Sequence, residues 1–227
     1  CPPSAMLCAK AQDKGSPYAQ QGPDAHSLCE YLLKKSLGYR VRDPTEDLEY
    51  YDQEMQDSAE GYRDFVMEQV AEAKERSPDV VVAVEQRLDC SRWAPESFGT
   101  GDCVVVTDGL LHIIDFKYGV GVPVSASGSD GKGNVQLRMY ALGALEAYSF
   151  LYDINEIKLS IYQPRIGNVD TFTLTKDELL DWAENVLKPA AELAYKGEGE
   201  FSAGPHCIFC AIKAECRERA RYNLELA

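Results

Sequence analysis

The chain has 227 residues, of which 45% are hydrophobic, and its formal net charge is −14. This length fits one domain with a small appended subdomain, and the apolar fraction is sufficient for a packed core. So large a negative charge opposes non-specific attraction to a polyanion, and any nucleic-acid contact must therefore depend on a local basic strip. No apolar run approaches the roughly 20 residues that a membrane-spanning helix needs, and we predict no membrane partner.

The order of apolar and turn residues predicts an α/β fold. Helices are expected over 23–37 and over a longer acidic stretch at 46–76. Strands are expected over 80–89, 102–107 and 110–117. The Gly- and Ser-rich segment from Tyr118 to Asn134 has no helical period, which predicts a mobile loop that could gate a substrate. A helix over 135–150, a strand over 156–163 and a last long helix follow, the last opened by a capping-box pattern at Thr175 and Glu178.

The most informative stretch is a predicted hairpin whose turn is Asp108-Gly109, a strong two-residue turn signal. Asp102 opens its first strand and Asp115 lies near the end of the second, so the two carboxylates can meet across the hairpin. Asp115 and Lys117 share a face because side chains alternate along a strand. Paired carboxylates suit Mg²⁺ or Mn²⁺, and an adjacent ammonium can orient the water in phosphodiester hydrolysis. A surface ion pair is the alternative explanation for the Asp-x-Lys triplet.

Four motifs in this chain resemble, in the same order, those of the PD-(D/E)XK nucleases, in the RecB-like branch that carries an iron-sulfur cluster. The matching residues are His26, Asp102, Asp115 with Lys117, and Gln136 with Tyr140. The resemblance implies a restriction-endonuclease-like core ordered helix, three strands, helix, strand. It implies that His26, Asp102 and Asp115 bind the metal ion and that Lys117 positions the attacking water. Gln136 and Tyr140 would support the site or contact the nucleic acid.

One further acidic residue lies near these motifs. Glu85 ends an apolar run on a strand that could lie beside Asp102. We do not count Glu85 among the predicted ligands, although an adjacent strand could bring it close to the metal. A basic strip for the nucleic acid could come from Lys213, Arg217, Arg219 and Arg221 near the C-terminus, with Lys132 and Arg138 near the motifs.

Three cysteines near the C-terminus, Cys207, Cys210 and Cys216, have the spacing C-x2-C-x5-C. A fourth ligand must come from elsewhere, and Cys1, Cys8 and His206 are the candidates. In the resembling nucleases one cysteine before the core joins three after it, which implies that Cys1 completes a [4Fe-4S] cluster. Zinc is the less favoured alternative, because zinc sites more often combine two C-x2-C pairs.

The remaining cysteines, Cys29, Cys90 and Cys103, are predicted to be small buried hydrophobic side chains. Eight cysteines could indicate a secreted disulfide scaffold, but the length, the apolar fraction and the metal-type spacing favour a reducing compartment. We therefore predict a cytoplasmic protein, and the resemblance implies that the cell is bacterial or phage-infected.

Together these patterns predict a RecB-like nuclease domain over residues 1–200, with a helical insertion at about 40–77. A cysteine-cluster segment over 201–227 is expected to close back on the N-terminus. The predicted function is that of a Mg²⁺- or Mn²⁺-dependent deoxyribonuclease, an exonuclease acting on single- or double-stranded DNA in recombination, repair or a phage context. Recombination or CRISPR-adaptation proteins and a second copy of the chain are the partners that the resemblance implies.

The alternative function is that of a non-catalytic iron-sulfur protein that uses the same fold to bind nucleic acid or a partner protein. The acidic composition favours this alternative. The intact Asp-x-Lys triplet argues against it, since a binding module does not need those side chains.

Overall fold

A computed structural model describes residues 1–11 and 17–226 of the protein, which has a mixed α/β fold. One sheet contains, in spatial order, β1 (Val81–Asp89), β2 (Phe98–Thr107), β3 (Gly109–Phe116), β4 (Ile154–Gln163) and β5 (Asn168–Thr175). Neighbouring strands are antiparallel except for β3 and β4, which are parallel. A parallel pair requires a crossover connection, and the chain makes it through a helix between these two strands.

The described residues form seven α-helices, before, between and after the strands in sequence. They are α1 (Ser4–Ala9), α2 (Pro17–Ser36), α3 (Gln53–Arg76), α4 (Val135–Tyr148), α5 (Lys176–Trp182), α6 (Lys188–Lys196) and α7 (Arg217–Glu225). A π-helical turn, Ala183–Leu187, separates α5 from α6, so the predicted last long helix is interrupted. No helix among the described residues is both long and apolar enough to cross a membrane.

The chain divides into two compact units. The larger unit consists of Ser16–Cys90 and Phe98–Leu180 and contains the sheet with α2, α3 and α4. The smaller unit consists of Cys1–Gly15, Ser91–Ser97 and Asp181–Ala227.

The main core of the larger unit lies between the sheet and the helices α2 and α3. Tyr62 of α3 is fully buried there, with its ring centroid 5.1 Å from that of Phe116 on β3. Asp52 fixes the beginning of α3, because its Oδ1 accepts a hydrogen bond from the Met55 backbone N–H at 2.7 Å. The predicted start at residue 46 is therefore wrong, since the acidic residues before Asp52 lie outside the helix.

Two local predictions are confirmed by the backbone. Thr107 pairs with Leu110 across β2 and β3, which leaves Asp108-Gly109 as the two-residue turn of the hairpin. The capping box before α5 is also present, with Thr175 Oγ1 accepting from the Glu178 backbone N–H and Glu178 Oε2 accepting from that of Thr175. Strand β5 was not predicted from the sequence.

Candidate functional site

His26, Glu85 and Asp102 come together in the larger unit, although they lie on α2, β1 and β2. One potential ligand atom from each lies within 4.8 Å of the other two. His26 Nδ1 is 3.2 Å from Asp102 Oδ1, and Asp102 Oδ2 accepts a hydrogen bond from the Phe116 backbone N–H at 2.7 Å. An imidazole and two carboxylates are suitable ligands for Mn²⁺, and the carboxylates also suit Mg²⁺.

Asp115 lies next to this group on β3. The β2–β3 ladder pairs Cys103 with Ile114, so Asp102 and Asp115 each follow one residue beyond that pair, as predicted from the hairpin. Asp115 is 3% exposed, and Lys117 Nζ lies 2.9 Å from its Oδ2 as an ion pair. This oxygen nevertheless accepts no well-directed hydrogen bond from any described residue. A buried carboxylate oxygen in that condition is costly, and a bound cation would relieve the cost.

A chain of hydrogen bonds connects Lys117 to helix α4. Lys117 Nζ donates to Gln136 Oε1 at 3.1 Å, and Gln136 Nε2 donates to the Tyr140 hydroxyl at 2.7 Å. Asn134 caps the helix by accepting from the Gln136 backbone N–H at 3.0 Å, which fixes the first turn beside the site. The structure thus brings together Lys117, Gln136 and Tyr140, which the sequence predicted to act at one site.

Burial and the neighbouring carboxylate charges together perturb the titratable groups of this cluster. Burial and the neighbouring Asp102 charge raise the pKa of Glu85 to about 7. Burial and the same charge raise the pKa of Asp115 to about 6, although Lys117 and His26 partly offset the increase. Burial alone would lower the pKa of His26, but its hydrogen bond to Asp102 and the surrounding carboxylates raise it. The cluster therefore holds more negative charge than its own cations neutralise, which favours uptake of protons or of a metal ion.

The backbone at Glu85 explains why strand alternation alone did not place this residue. Glu85 has φ 53°, in the left-handed region that side-chain-bearing residues rarely adopt. Before it, Val82 and Val84 pack against the core formed with α2 and α3. After it, Leu88 touches α4, because a Cβ added at Gly143 would lie 2.8 Å from the Leu88 Cβ. The even-numbered residues of β1 thus change faces at Glu85.

Strand β2 changes faces in the same region. Cys103 and Val105 belong to the core with α2 and α3, whereas an added Cβ at Gly99 would overlap the Tyr140 ring of α4. Glu85 and Asp102 lie at this common point of change, beside His26 of α2. The sequence signal for Glu85 was an acidic residue at the end of an apolar run. The left-handed backbone at this position could not be predicted, because glycine is the residue that usually indicates it.

A cavity of about 240 Å³ lies in the smaller unit. Five cysteines line it, namely Cys1, Cys8, Cys207, Cys210 and Cys216. All four predicted cluster ligands and the rival Cys8 therefore line one cavity. Among the described residues, however, no three of these cysteines have their Sγ atoms within 4.8 Å of one another. His206 also lines the cavity, where its Nε2 lies 3.0 Å from the Ser202 carbonyl oxygen.

The Cys8 and Cys210 Sγ atoms lie 3.7 Å apart. Burial and the adjacent thiols of Cys8 and Cys207 raise the pKa of Cys210. Two thiolates that share one tetrahedral zinc ion with bonds of about 2.3 Å are separated by about 3.8 Å. Thiolates of a [4Fe-4S] cluster each bind a different iron and must lie farther apart. The observed distance is therefore too short for Cys8 and Cys210 to bind two different irons of one cluster.

The other three cysteines and one predicted basic residue are buried. Cys29, Cys90 and Cys103 are at most 3% exposed, which confirms their prediction as buried side chains. Arg138 is 2% exposed, so its assignment to a surface basic strip is wrong. It is one of the buried residues of α4, and a Cβ added at Gly133 would lie 3.2 Å from its Cδ.

Comparison with known proteins identifies the family. The chain belongs to the family described as "Protein of unknown function (DUF2800)", whose model matches residues 1–227. Among solved structures, the chain is similar to one described as "Crystal structure of SSO0001", with 14% sequence identity and a TM-score of 0.33. That match covers 85% of this chain and 95% of the other.

Proposed function

We propose that this protein is a Mg²⁺- or Mn²⁺-dependent deoxyribonuclease with the PD-(D/E)XK core of the RecB-like branch, acting as an exonuclease. The observation that carries the proposal is the convergence of His26, Glu85 and Asp102 within 4.8 Å, with the Asp115–Lys117 ion pair adjoining. Glu85 is added to the metal ligands that the sequence predicted, His26, Asp102 and Asp115. An excess of buried negative charge next to a positioned ammonium supports metal-assisted hydrolysis of a phosphodiester.

Each side chain of the site has a distinct role in the proposed reaction. A bound divalent ion would polarise the phosphate and lower the pKa of a bound water. Asp102 is held in place by the Phe116 backbone N–H, which directs its other oxygen towards His26. Lys117 is held by its ion pair with Asp115 and by the hydrogen bond that it donates to Gln136 Oε1. An ammonium has three N–H donors, so Lys117 can also donate to the attacking water or to a phosphate oxygen.

We also propose that Cys1, Cys207, Cys210 and Cys216 hold a [4Fe-4S] cluster in the smaller unit. These residues line the same cavity, and they join the first residue of the chain to its last segment. The free energy of cluster binding would then stabilise the fold of this unit. Bacterial or phage-infected cytoplasm as the location, and recombination or CRISPR-adaptation proteins as partners, stay predictions of the resemblance.

The test measures nucleotide release from linear single- and double-stranded DNA in Mn²⁺ or Mg²⁺. We expect release by the parent protein and a loss of 100-fold or more in Lys117→Ala, a magnitude typical of removing a positioned donor or acid-base group. Lys74→Ala is the matched control, because Lys74 is an exposed lysine in the last turn of α3. Its rate should equal that of the parent.

Two results would overturn the assignment. If Lys117→Ala and the parent release nucleotides equally, Lys117 has no role in the reaction. If the parent binds DNA but cleaves neither substrate in either metal, the result supports the non-catalytic alternative. The net charge of −14 is compatible with that alternative. Circular single-stranded DNA provides a further arm, since an exonuclease leaves it intact.

A further inference from the structure

Phe98 and Arg87 form an exposed stacked pair at the end of β1 and β2 where residues 90–97 connect the two strands. Phe98 is 58% exposed, and Arg87 Cζ lies 3.6 Å from the centroid of the Phe98 ring. The register pairs Arg87 with Thr100 and Asp89 with Phe98, so the two side chains come from diagonal positions of adjacent strands. The result is a flat surface made of one aromatic ring and one guanidinium group.

This pair lies on the two strands that carry the candidate metal ligands. Arg87 is two residues beyond Glu85 on β1, and Phe98 is four residues before Asp102 on β2. At about 3.3 Å per residue, the pair lies about 7–13 Å along the strands from the carboxylates. Successive nucleotides of one strand in a duplex rise about 3.4 Å each, and the pair is therefore within a few nucleotides of the position where cleavage would occur.

The charges around the pair suit a base and a phosphate in a particular arrangement. Within the described part of the chain, Arg87 makes no ion pair, so its guanidinium can bind a phosphate oxygen while it stacks on the ring. A phosphate is thus favoured at Arg87, and the exposed Phe98 ring suits an uncharged base.

We propose that Phe98 and Arg87 form a stacking platform for an unpaired base of the DNA strand whose phosphate enters the candidate active site. The inference rests on the proposed function and deepens it, because it makes the substrate single-stranded beside the cleavage position. A base inside a duplex is already stacked on its neighbours and cannot use the ring, whereas an unpaired base exposes a π-face.

The test measures equilibrium binding of a fluorescein-labelled single-stranded oligonucleotide and of the matching duplex, with Ca²⁺ in place of Mn²⁺ to prevent cleavage. Loss of base–aromatic stacking in Phe98→Ala should weaken single-strand binding by about 5- to 100-fold. Duplex binding should change by less than about twofold, because the paired bases do not reach the ring. Phe98→Trp should retain the single-strand affinity. Phe150→Ala is the matched control, since Phe150 is a 77% exposed phenylalanine of the same unit.

A second readout detects the stack directly. An oligonucleotide with 2-aminopurine at successive positions should show quenching at one or two adjacent positions with the parent and with Phe98→Trp, and none with Phe98→Ala. The platform is refuted if Phe98→Ala binds the single strand as tightly as the parent, if it weakens duplex binding equally, or if the parent binds no single strand. A parent that binds with quenching but does not cleave in Mn²⁺ refutes the nuclease proposal and leaves the platform standing.

Discussion

Replacing Glu85 by Gln is expected to stabilise the metal-free protein in mildly alkaline solution. Burial and the Asp102 charge raise the Glu85 pKa from 4.5 to about 7. Between these two values the folded protein binds more protons at this position than the unfolded chain does. The free energy of unfolding therefore falls as the pH rises from about 4.5 to about 7, and the loss is complete above that range. Glutamine keeps the shape of the side chain and removes the charge that causes the loss.

The size of the effect follows from the two pKa values. A difference between about 7 and 4.5 corresponds to about 3.4 kcal/mol. Glu85 is only partly buried, and solvent screening reduces this figure to about 1–2 kcal/mol. We therefore expect Glu85→Gln to be more stable than the parent by about 1–2 kcal/mol at pH 8, and the difference to disappear near pH 4.5.

The assay is urea unfolding in EDTA at both pH values, followed by far-UV circular dichroism. Tryptophan fluorescence is unsuitable, because Trp93 and Trp182 both belong to the smaller unit. Glu68→Gln is the matched control, since Glu68 is an exposed glutamate on α3, and its stability should follow that of the parent at both pH values.

Adding Mn²⁺ should reverse the order of stability. A ligand that binds only the folded state at 100 times its Kd stabilises that state by about 2.7 kcal/mol, and Glu85→Gln should gain much less. The reasoning about repulsion fails if Glu85→Gln is no more stable than the parent at pH 8, or if its advantage is equally large at pH 4.5. The assignment of Glu85 as a ligand fails if both proteins gain the same stability from Mn²⁺.

Two further predictions concern the cysteine-lined cavity and the contact between β2 and α4. Cys1→Ser is expected to lose the iron and the broad visible absorbance of anaerobically purified protein. Cys8→Ser should keep both, because Cys8 lies too near Cys210 to bind a separate iron. Bound zinc that depends on Cys8 would contradict this prediction. Gly99→Ala is expected to lower the free energy of unfolding by about 1–3 kcal/mol and to slow DNA cleavage, because the new methyl group overlaps the Tyr140 ring. Gly119→Ala, where an added Cβ meets nothing within 4 Å, is the control, and equal stability of the two variants in urea unfolding would refute the overlap.

The β2–β3 hairpin could be predicted because its determinants are local. Asp108-Gly109 sets the turn, the turn sets the register, and the register places Asp102 and Asp115 one residue beyond the same pair. The spacing of Gln136 and Tyr140 likewise puts both side chains on one face of α4. That this face meets Lys117 depends on the crossover between β3 and β4, which the order of elements indicated but the residues of α4 alone could not.

Other elements depend on tertiary contacts that leave little trace in the sequence. Strand β5 (Asn168–Thr175) alternates polar and apolar residues only from Thr171 to Thr175, and it lies at the edge of the sheet with most of its residues exposed or half-buried. For β5 the local pattern was too weak to separate the observed strand from its alternatives. The last helix is interrupted by a π-helical turn, Ala183–Leu187, and here the sequence does carry a signal, because Pro189 in the first turn of α6 has no N–H for a helix hydrogen bond.

Glu85 is both a residue that strand alternation did not place and a ligand of the proposed metal site. Its left-handed backbone costs about 1–2 kcal/mol relative to ordinary strand geometry, and its raised pKa adds a separate electrostatic cost at neutral pH. A glycine at this position would remove the backbone cost, and a glutamine would remove the electrostatic cost. The pairing of β1 with β2 therefore imposes neither cost. A residue that destabilises the fold in two independent ways is typical of a functional site, where a ligand offsets the cost. A divalent cation held by Glu85, Asp102 and His26 would offset the electrostatic part directly, and the face change at Glu85 is what brings these three side chains together.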